Sequence, residues 1–230
     1  LLIIHTMNKK TYYQIILDAS GSMATGYHTT LNTLNEQISM VKHKQSKQSG
    51  ESYALGISDF SDDLHVMLPM QSPDHAKAIT QEDYQLRGMT ALWDAIGHTV
   101  TQLEATIGRE VRENKASVVV VVLTDGHENA SRHYNARQIQ SKIKELEATN
   151  LWDFSFIGAD LDVDSMADEV GLEYHSRRSF SKSSGVFESR VSSFTSDLLD
   201  RQWAVKNNKI DDKADYCFSP ESDSDLGDDE

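Results

Sequence analysis

Apolar positions change period along the chain, and the changes mark out its elements. Tyr12–Leu17 is a compact apolar run that stops at Asp18, the pattern of a buried strand. Leu31, Leu34, Ile38 and Val41 then recur at spacings of three and four, which predicts one face of a helix. Tyr53–Phe60 and Leu64–Leu68 are two strand-like runs joined by Ser61-Asp62-Asp63, a turn cluster, and so predict a hairpin. The stretch from Pro69 to Arg87 is polar and aperiodic apart from a short helix expected around Ala76–Ile79. Trp93, Ile96, Val100, Leu103 and Ile107 return to helical spacing. Ala116–Leu123 is almost all valine and apolar on both faces, as a central strand of a parallel sheet must be.

Ile139, Ile143 and Leu146 mark a further helix, and Trp152–Ala159 a further strand. A short helix over Ser165–Val170 closed by Gly171, a strand beginning at Tyr174, and a last helical face of Phe187, Val191, Phe194 and Leu198 complete the pattern. Strands alternating with helices require crossovers that cover both faces of a sheet. The fold class expected is α/β, doubly wound. Beyond Arg201 the periodicity stops and acidic residues dominate, so Asn207–Glu230 reads as a disordered acidic tail. The division expected is an N-terminal extension over residues 1–10, a folded domain over 11–203 and the tail over 204–230. Met7-Asn8-Lys9-Lys10 resembles a native start, which makes Leu1–Thr6 an upstream extension.

Charge narrows the function classes. The 36 acidic side chains outnumber the 22 basic ones, for a net charge of −14 over 230 residues. That balance argues against nucleic acid, whose phosphates are held by clustered Lys and Arg, and against a basic membrane anchor. The apolar run Val118–Leu123 is far short of the roughly 20 residues that span a bilayer. A single cysteine, Cys217, forms no internal disulfide, which fits a reducing, cytoplasmic setting. Three other signals fail. His127-Glu128 lacks the second histidine of a zinc-protease helix. Asp160-x-Asp162-x-Asp164 has Ser165 where a calcium loop needs glycine and Gly171 where it needs glutamate. No glycine-rich phosphate loop is present.

The candidate chemistry lies at strand ends. Asp18, Ser20 and Ser22 sit two apart after the first strand and so present oxygens to one side, with Gly21 letting the backbone bend. Asp125-Gly126 follows the valine strand, and Gly88-Met89-Thr90 sets a hydroxyl just before a helix. In open α/β sheets the ligand crevice lies beyond the carboxyl ends of the strands. Two carboxylates and three hydroxyls with room for water suit a small hard cation, Mg²⁺ or Mn²⁺. Taken singly the pieces have plainer readings: Ser20, Ser22 or Thr90 as helix caps, Asp125-Gly126 as a turn.

Together, Asp18-x-Ser20-x-Ser22, Gly88-x-Thr90 and Thr124-Asp125-Gly126 resemble the metal-ion-dependent adhesion site of von Willebrand factor type A domains, in its bacterial form. The resemblance runs from about Tyr12 to Leu199. It implies a mostly parallel doubly wound sheet with one antiparallel edge strand, Leu64–Leu68. Ser20, Ser22 and Thr90 would be metal ligands, with Asp18 and Asp125 binding directly or through water. It further implies a protein partner whose Asp or Glu carboxylate completes the metal, in a binding module rather than an enzyme. Met23-Ala24-Thr25-Gly26 departs from the integrin β-type pattern, which carries an acidic pair there, so no adjacent second metal is implied. Two alternatives remain from the residues: an Mg²⁺-dependent hydrolase, with Arg87 and Arg132 as the nearby cations, and a metal-free scaffold.

Overall fold

A computed structural model describes residues 9–47, 51–159, 168, 177–180 and 186–219. Six strands form one sheet: β1 Lys9–Asp18, β2 Glu51–Phe60, β3 Leu64–Gln71, β4 Ala116–Thr124, β5 Trp152–Ala159 and β6 Arg177–Phe180. Their order is β3-β2-β1-β4-β5-β6. All neighbours are parallel except β3, which pairs antiparallel with β2 at the edge. Four helices with described bounds flank the sheet: α1 Tyr27–Lys47, α2 Leu92–Arg112, α3 Ala136–Glu147 and α4 Phe187–Lys206. The fold class expected from the sequence is the one observed. Of the short helix expected over Ser165–Val170, only Asp168 falls within the described residues, and it is helical; of the strand expected from Tyr174, the described part is β6, Arg177–Phe180.

Side-chain alternation along the strands sorts the core into two layers. Tyr13, Ile15, Leu17, Val119, Val121 and Leu123 pack beneath α1 and α4. Tyr12, Ile16, Val118, Val120, Val122 and Phe156 pack beneath α2 and α3. The valine run is buried on both faces because it lies between β1 and β5 in the middle of the sheet. Each such side chain contributes roughly 1.5–3 kcal/mol on burial. Strand order reverses about β1: β2 lies to one side and β4 to the other, so the ends of β1 and β4 frame the crevice. Register places Leu17 opposite Leu123, which brings Asp18 beside Thr124.

Helix ends show how the loops are tied to this frame. The first turn of α2 has no cap from its own N-cap residue, Ala91. Instead Trp93 N donates to the Glu128 carboxylate and Asp94 N to Ser131 Oγ, both from the loop after β4. Asp94 returns the connection by accepting from the backbone N–H groups of Arg132, His133 and Tyr134. Those three hydrogen bonds hold its carboxyl below the usual range even though burial opposes them.

Two segments differ from expectation. Ala76–Ile79 is not helical; it is an extended strap that follows a short 3-10 turn at Pro73–His75. Its backbone bonds to side chains of α1 instead of to itself: Asn35 both donates to Ile79 O and accepts from Ile79 N, and Lys42 donates to Ala76 O. Ala76, Ile79 and, further on, Tyr84 are thereby buried in the core. Residues 207–219, expected to belong to an unstructured tail, fold back on α4. Phe218 stacks on Phe194 with centroids 5.5 Å apart, and Ser219 donates from N and Oγ to Asp197. Lys213 is buried, donating to Trp152 O. One aromatic and one lysine anchor a stretch whose average composition conceals them.

Beneath this return lies a buried ion pair. Arg201 and Asp153 are each shielded from solvent, with Nη2 2.7 Å from Oδ1 and Nε 3.1 Å from Oδ2. The Arg201 guanidinium also sits 5.1 Å from the Phe218 ring.

Candidate metal centre

Asp18 ends β1 with its side chain fully buried, beside the end of β4. Its Oδ1 accepts from Ser20 N at 2.7 Å, and its Oδ2 accepts from Thr124 Oγ1 at 2.6 Å. The first bond closes the Asp18–Ser20 turn; the second ties β1 to β4 at their ends. Burial pushes the Asp18 carboxyl above its ordinary range, opposed by the hydrogen bonds from Thr124 and Ser20 and reinforced by the nearby charge of Asp125. A buried carboxylate held beside another is an electrostatic demand for positive charge.

The hydroxyls line up toward Asp125. Ser22 Oγ donates to Asp125 Oδ1 at 2.6 Å and lies 2.9 Å from Ser20 Oγ. Each hydroxyl has one proton, so with Ser22 donating to Asp125, the Ser20 hydroxyl is the donor to Ser22. Thr90 arrives from the loop before α2. Its N donates to Asn129 Oδ1 at 2.9 Å and its O accepts from Asn129 N at 3.0 Å, a reciprocal pair that fixes Thr90 against the β4 loop. Ser20, at the start of the short 3-10 turn Gly21–Ala24, makes no side-chain cap bond, and the N-cap position of α2 falls on Ala91 rather than Thr90.

Gly126 shows where the oxygens meet. A Cβ placed on it would lie 3.2 Å from Thr90 Oγ1, 3.3 Å from Ser22 Oγ and 3.4 Å from Asp18 Oδ2. A hydroxyl from the loop before α2, and a hydroxyl and a carboxylate from the Asp18–Ser22 turn, line one small space, which only the absence of a side chain at 126 keeps free. All five expected residues are therefore gathered at one place. The donor set is entirely oxygen, two carboxylates with hydroxyls, and fits a hard cation. Among the described residues no group of three or more His, Cys, Asp or Glu is arranged to hold a metal.

Several residues around the centre escaped sequence reasoning. Tyr84 OH donates to Asp18 O at 2.8 Å, and Arg87 N donates to Ala19 O at 2.8 Å. The Arg87 guanidinium grips Asp59, at the end of β2, with Nη1 3.3 Å from Oδ2 and Nη2 on Oδ1. Met89 N donates to Asp62 Oδ2 at 3.3 Å, and Ala91 N to Ser61 O at 2.8 Å. The sequence places Tyr84 in a polar, aperiodic stretch, Arg87 as a nearby cation and Ser61-Asp62 in a turn, without these contacts. Arg132 lies apart, on the wall of a cleft of about 480 Å³ with Asp63, His98 and His133.

Among the described residues no helix is long and apolar enough to cross a membrane. No curated protein matches the chain. Solved structures do. A von Willebrand factor type A protein from Catenulispora acidiphila matches at TM-score 0.53 and 18% identity, over 82% of this chain and 42% of that one. The ArnB paralog VWA2 from Sulfolobus acidocaldarius matches at TM-score 0.52 and 15% identity, over 80% and 45%. Proximal thread matrix protein 1 from the mussel byssus, with a zinc-occupied adhesion motif, matches at TM-score 0.53 and 16% identity, over 80% and 45%. The chain thus spans less than half the length of each of these, and at such identities the likeness establishes the fold. The family model for the von Willebrand factor type A domain matches residues 14–190, from within β1 to within α4. The chain belongs to the von Willebrand factor type A domain family.

Proposed function

We propose that this chain is a divalent-cation-dependent protein-binding module of the bacterial adhesion-site type, working in the cytoplasm. Asp18, Ser20, Ser22, Thr90 and Asp125 hold Mg²⁺ or Mn²⁺, and an Asp or Glu carboxylate of a protein partner completes the coordination. The observation that carries this reading is the convergence of Thr90, Ser22 and Asp18 oxygens on the space beside Gly126. Neutral hydroxyl donors leave a bound cation with much of its charge, available to an anionic ligand from outside. Ser22 is exposed and Asp125 half-exposed, so the centre opens to solvent on the side a partner would approach. The mussel protein's adhesion motif is occupied by zinc, but an all-oxygen set favours the harder Mg²⁺ or Mn²⁺ over a metal that prefers nitrogen and sulfur. A hydrolase would need a cation free to hold its substrate, and Arg87 is committed to Asp59.

The test is thermal. Mg²⁺ or Mn²⁺ raises the melting temperature in proportion to the logarithm of its concentration, since a ligand of the native state alone stabilises by mass action. Asp18→Ala abolishes that shift while the domain stays folded. Equal shifts in both proteins overturn the assignment, and no shift in either makes the domain a metal-free scaffold. With a partner in hand, Thr90→Ala and EDTA each weaken binding at least tenfold, about 1.4 kcal/mol.

A further inference from the structure

We propose that the Asp59–Arg87 ion pair is a second positioning device for Thr90, beside its bonds to Asn129, and that its purpose is cation affinity rather than fold stability. The inference rests on the metal-binding reading above and adds to it two residues that do not touch the metal.

Thr90 lies in a loop with no regular structure between the strap and α2. A loop of that kind holds a donor in place only as well as its neighbours fix it, and metal affinity depends on how firmly the outer residues orient the inner ones. Three residues before Thr90, Arg87 is anchored twice. Its backbone N–H bonds Ala19 O, inside the Asp18–Ser22 turn, and its guanidinium straddles both oxygens of Asp59. The loop then turns through Gly88, whose φ of +56° is a left-handed conformation. A Cβ there would stand 1.9 Å from Asp62 Oδ2, the same carboxylate that accepts from Met89 N. Two carboxylates from the end of β2 and the turn beyond it thus grip the loop on either side of Gly88, and Thr90 follows directly.

The ion pair is poorly explained as a device for stability. Asp59 is nearly sealed from solvent, with its side chain 2% exposed, and Arg87 is largely covered at 27%. Buried pairs recover little beyond the desolvation of their charges. The Arg87 Nε–H is also buried with no acceptor among the described residues, a further cost. His65, on the facing strand, approaches Asp59 only to 3.7 Å and is mostly exposed, so it does not substitute for the arginine. What Arg87 does, through its backbone N–H and its guanidinium together, is join three parts of the centre. Its backbone holds the Thr90 loop to the Asp18–Ser22 turn, and its planar guanidinium, which fits its carboxylate in one orientation, holds the same loop to the end of β2.

The experiment measures the Mg²⁺ dissociation constant by calorimetry and the melting temperature in EDTA, on the full chain. Arg87→Ala weakens Mg²⁺ at least about tenfold, within the 10- to 100-fold range usual for outer residues of metal sites. Arg87→Lys, which keeps the charge but not the fork, falls between Arg87→Ala and wild type and serves alone if the alanine variant does not fold. Ile143→Val, on the buried side of α3 against the other face of the sheet, lowers the EDTA melting temperature and leaves the Mg²⁺ constant unchanged. The proposal is overturned if the Arg87 variants bind Mg²⁺ within twofold of wild type, whatever their melting temperatures. If wild type itself binds no Mg²⁺, the metal reading has failed and the positioning role falls with it. If Ile143→Val weakens Mg²⁺ as much as Arg87→Lys does, affinity merely follows stability and the specific role is refuted.

Discussion

Gly126→Ala separates the metal centre from the fold with a single methyl group. The added carbon would stand 3.2–3.4 Å from Thr90 Oγ1, Ser22 Oγ and Asp18 Oδ2, closer than carbon and oxygen ordinarily sit but not so close as to force the chain apart. Gly126 is not among the residues with a left-handed φ, so alanine is allowed there by the backbone. Its smaller unfolded-state entropy contributes about 0.4–1 kcal/mol in favour of folding, which offsets strain of similar size from three tight contacts. The net change in metal-free stability is therefore expected within about 1 kcal/mol. Metal binding has no such compensation. Mg²⁺ takes oxygens at about 2.1 Å and tolerates little departure from octahedral geometry. A methyl group against three of its donors either displaces an oxygen or blocks the position of a water or partner carboxylate. The Mg²⁺ constant should rise at least tenfold, about 1.4 kcal/mol, by calorimetry or by the shift in melting temperature on adding Mg²⁺. Wild-type affinity in a folded Gly126→Ala protein would mean that the oxygens around this glycine are not the ligands.

Two further expectations concern the opposite end of the sheet. Glu147 accepts from Phe154 N and faces Lys213, Asp153 and Arg201; burial above all raises its pKa to about 7. A carboxyl whose folded pKa is raised favours the folded state below its unfolded value near 4.5 and loses that contribution as pH climbs to about 7. Glu147→Gln should therefore match wild type near pH 4.5 and exceed it above pH 7, by up to about 3 kcal/mol in urea titrations; a gap that does not widen with pH refutes the protonation argument. Phe218→Ala should cost about 2 kcal/mol, less than a full core phenylalanine because Phe218 is only partly buried, and an unchanged urea midpoint would show that residues 207–219 do not pack in solution.

The elements legible in the sequence were those whose periodicity reflects burial. Val118–Val122 could only be a central strand, and Ile96, Val100, Leu103 and Ile107 could only line one side of a helix. The five oxygen-bearing residues were legible for a related reason: a strand end fixes where its next few side chains point, whatever lies around them. Asp59, Tyr84, Arg87 and Asn129 carry no such local signature. Each acts through a partner distant in sequence, Arg87 through Asp59 and Tyr84 through the carbonyl of Asp18, and a tertiary hydrogen bond leaves no period behind. The strap misled for the converse reason. Ala76 and Ile79 have helical spacing and are buried, but Asn35 and Lys42 satisfy the backbone that a helix would have satisfied itself. Average composition hid the anchoring of 207–219, because Phe218 and Lys213 are outvoted by their acidic neighbours.

The bond between Thr124 and Asp18 spans 106 residues of chain, and the one between Ser22 and Asp125 spans 103. Neither can form until β1 and β4 have aligned in parallel, a pairing with no hairpin to guide it and a large loop to close first. The centre therefore has no precursor in a partly assembled chain; a slip of one residue between the two strands would turn Asp18 or Thr124 to the wrong face. A cation that binds there is a probe of completed topology. It slows the escape of the native protein without hastening its arrival, so metal added during refolding should leave the folding rate unchanged and lengthen the lifetime of what has folded.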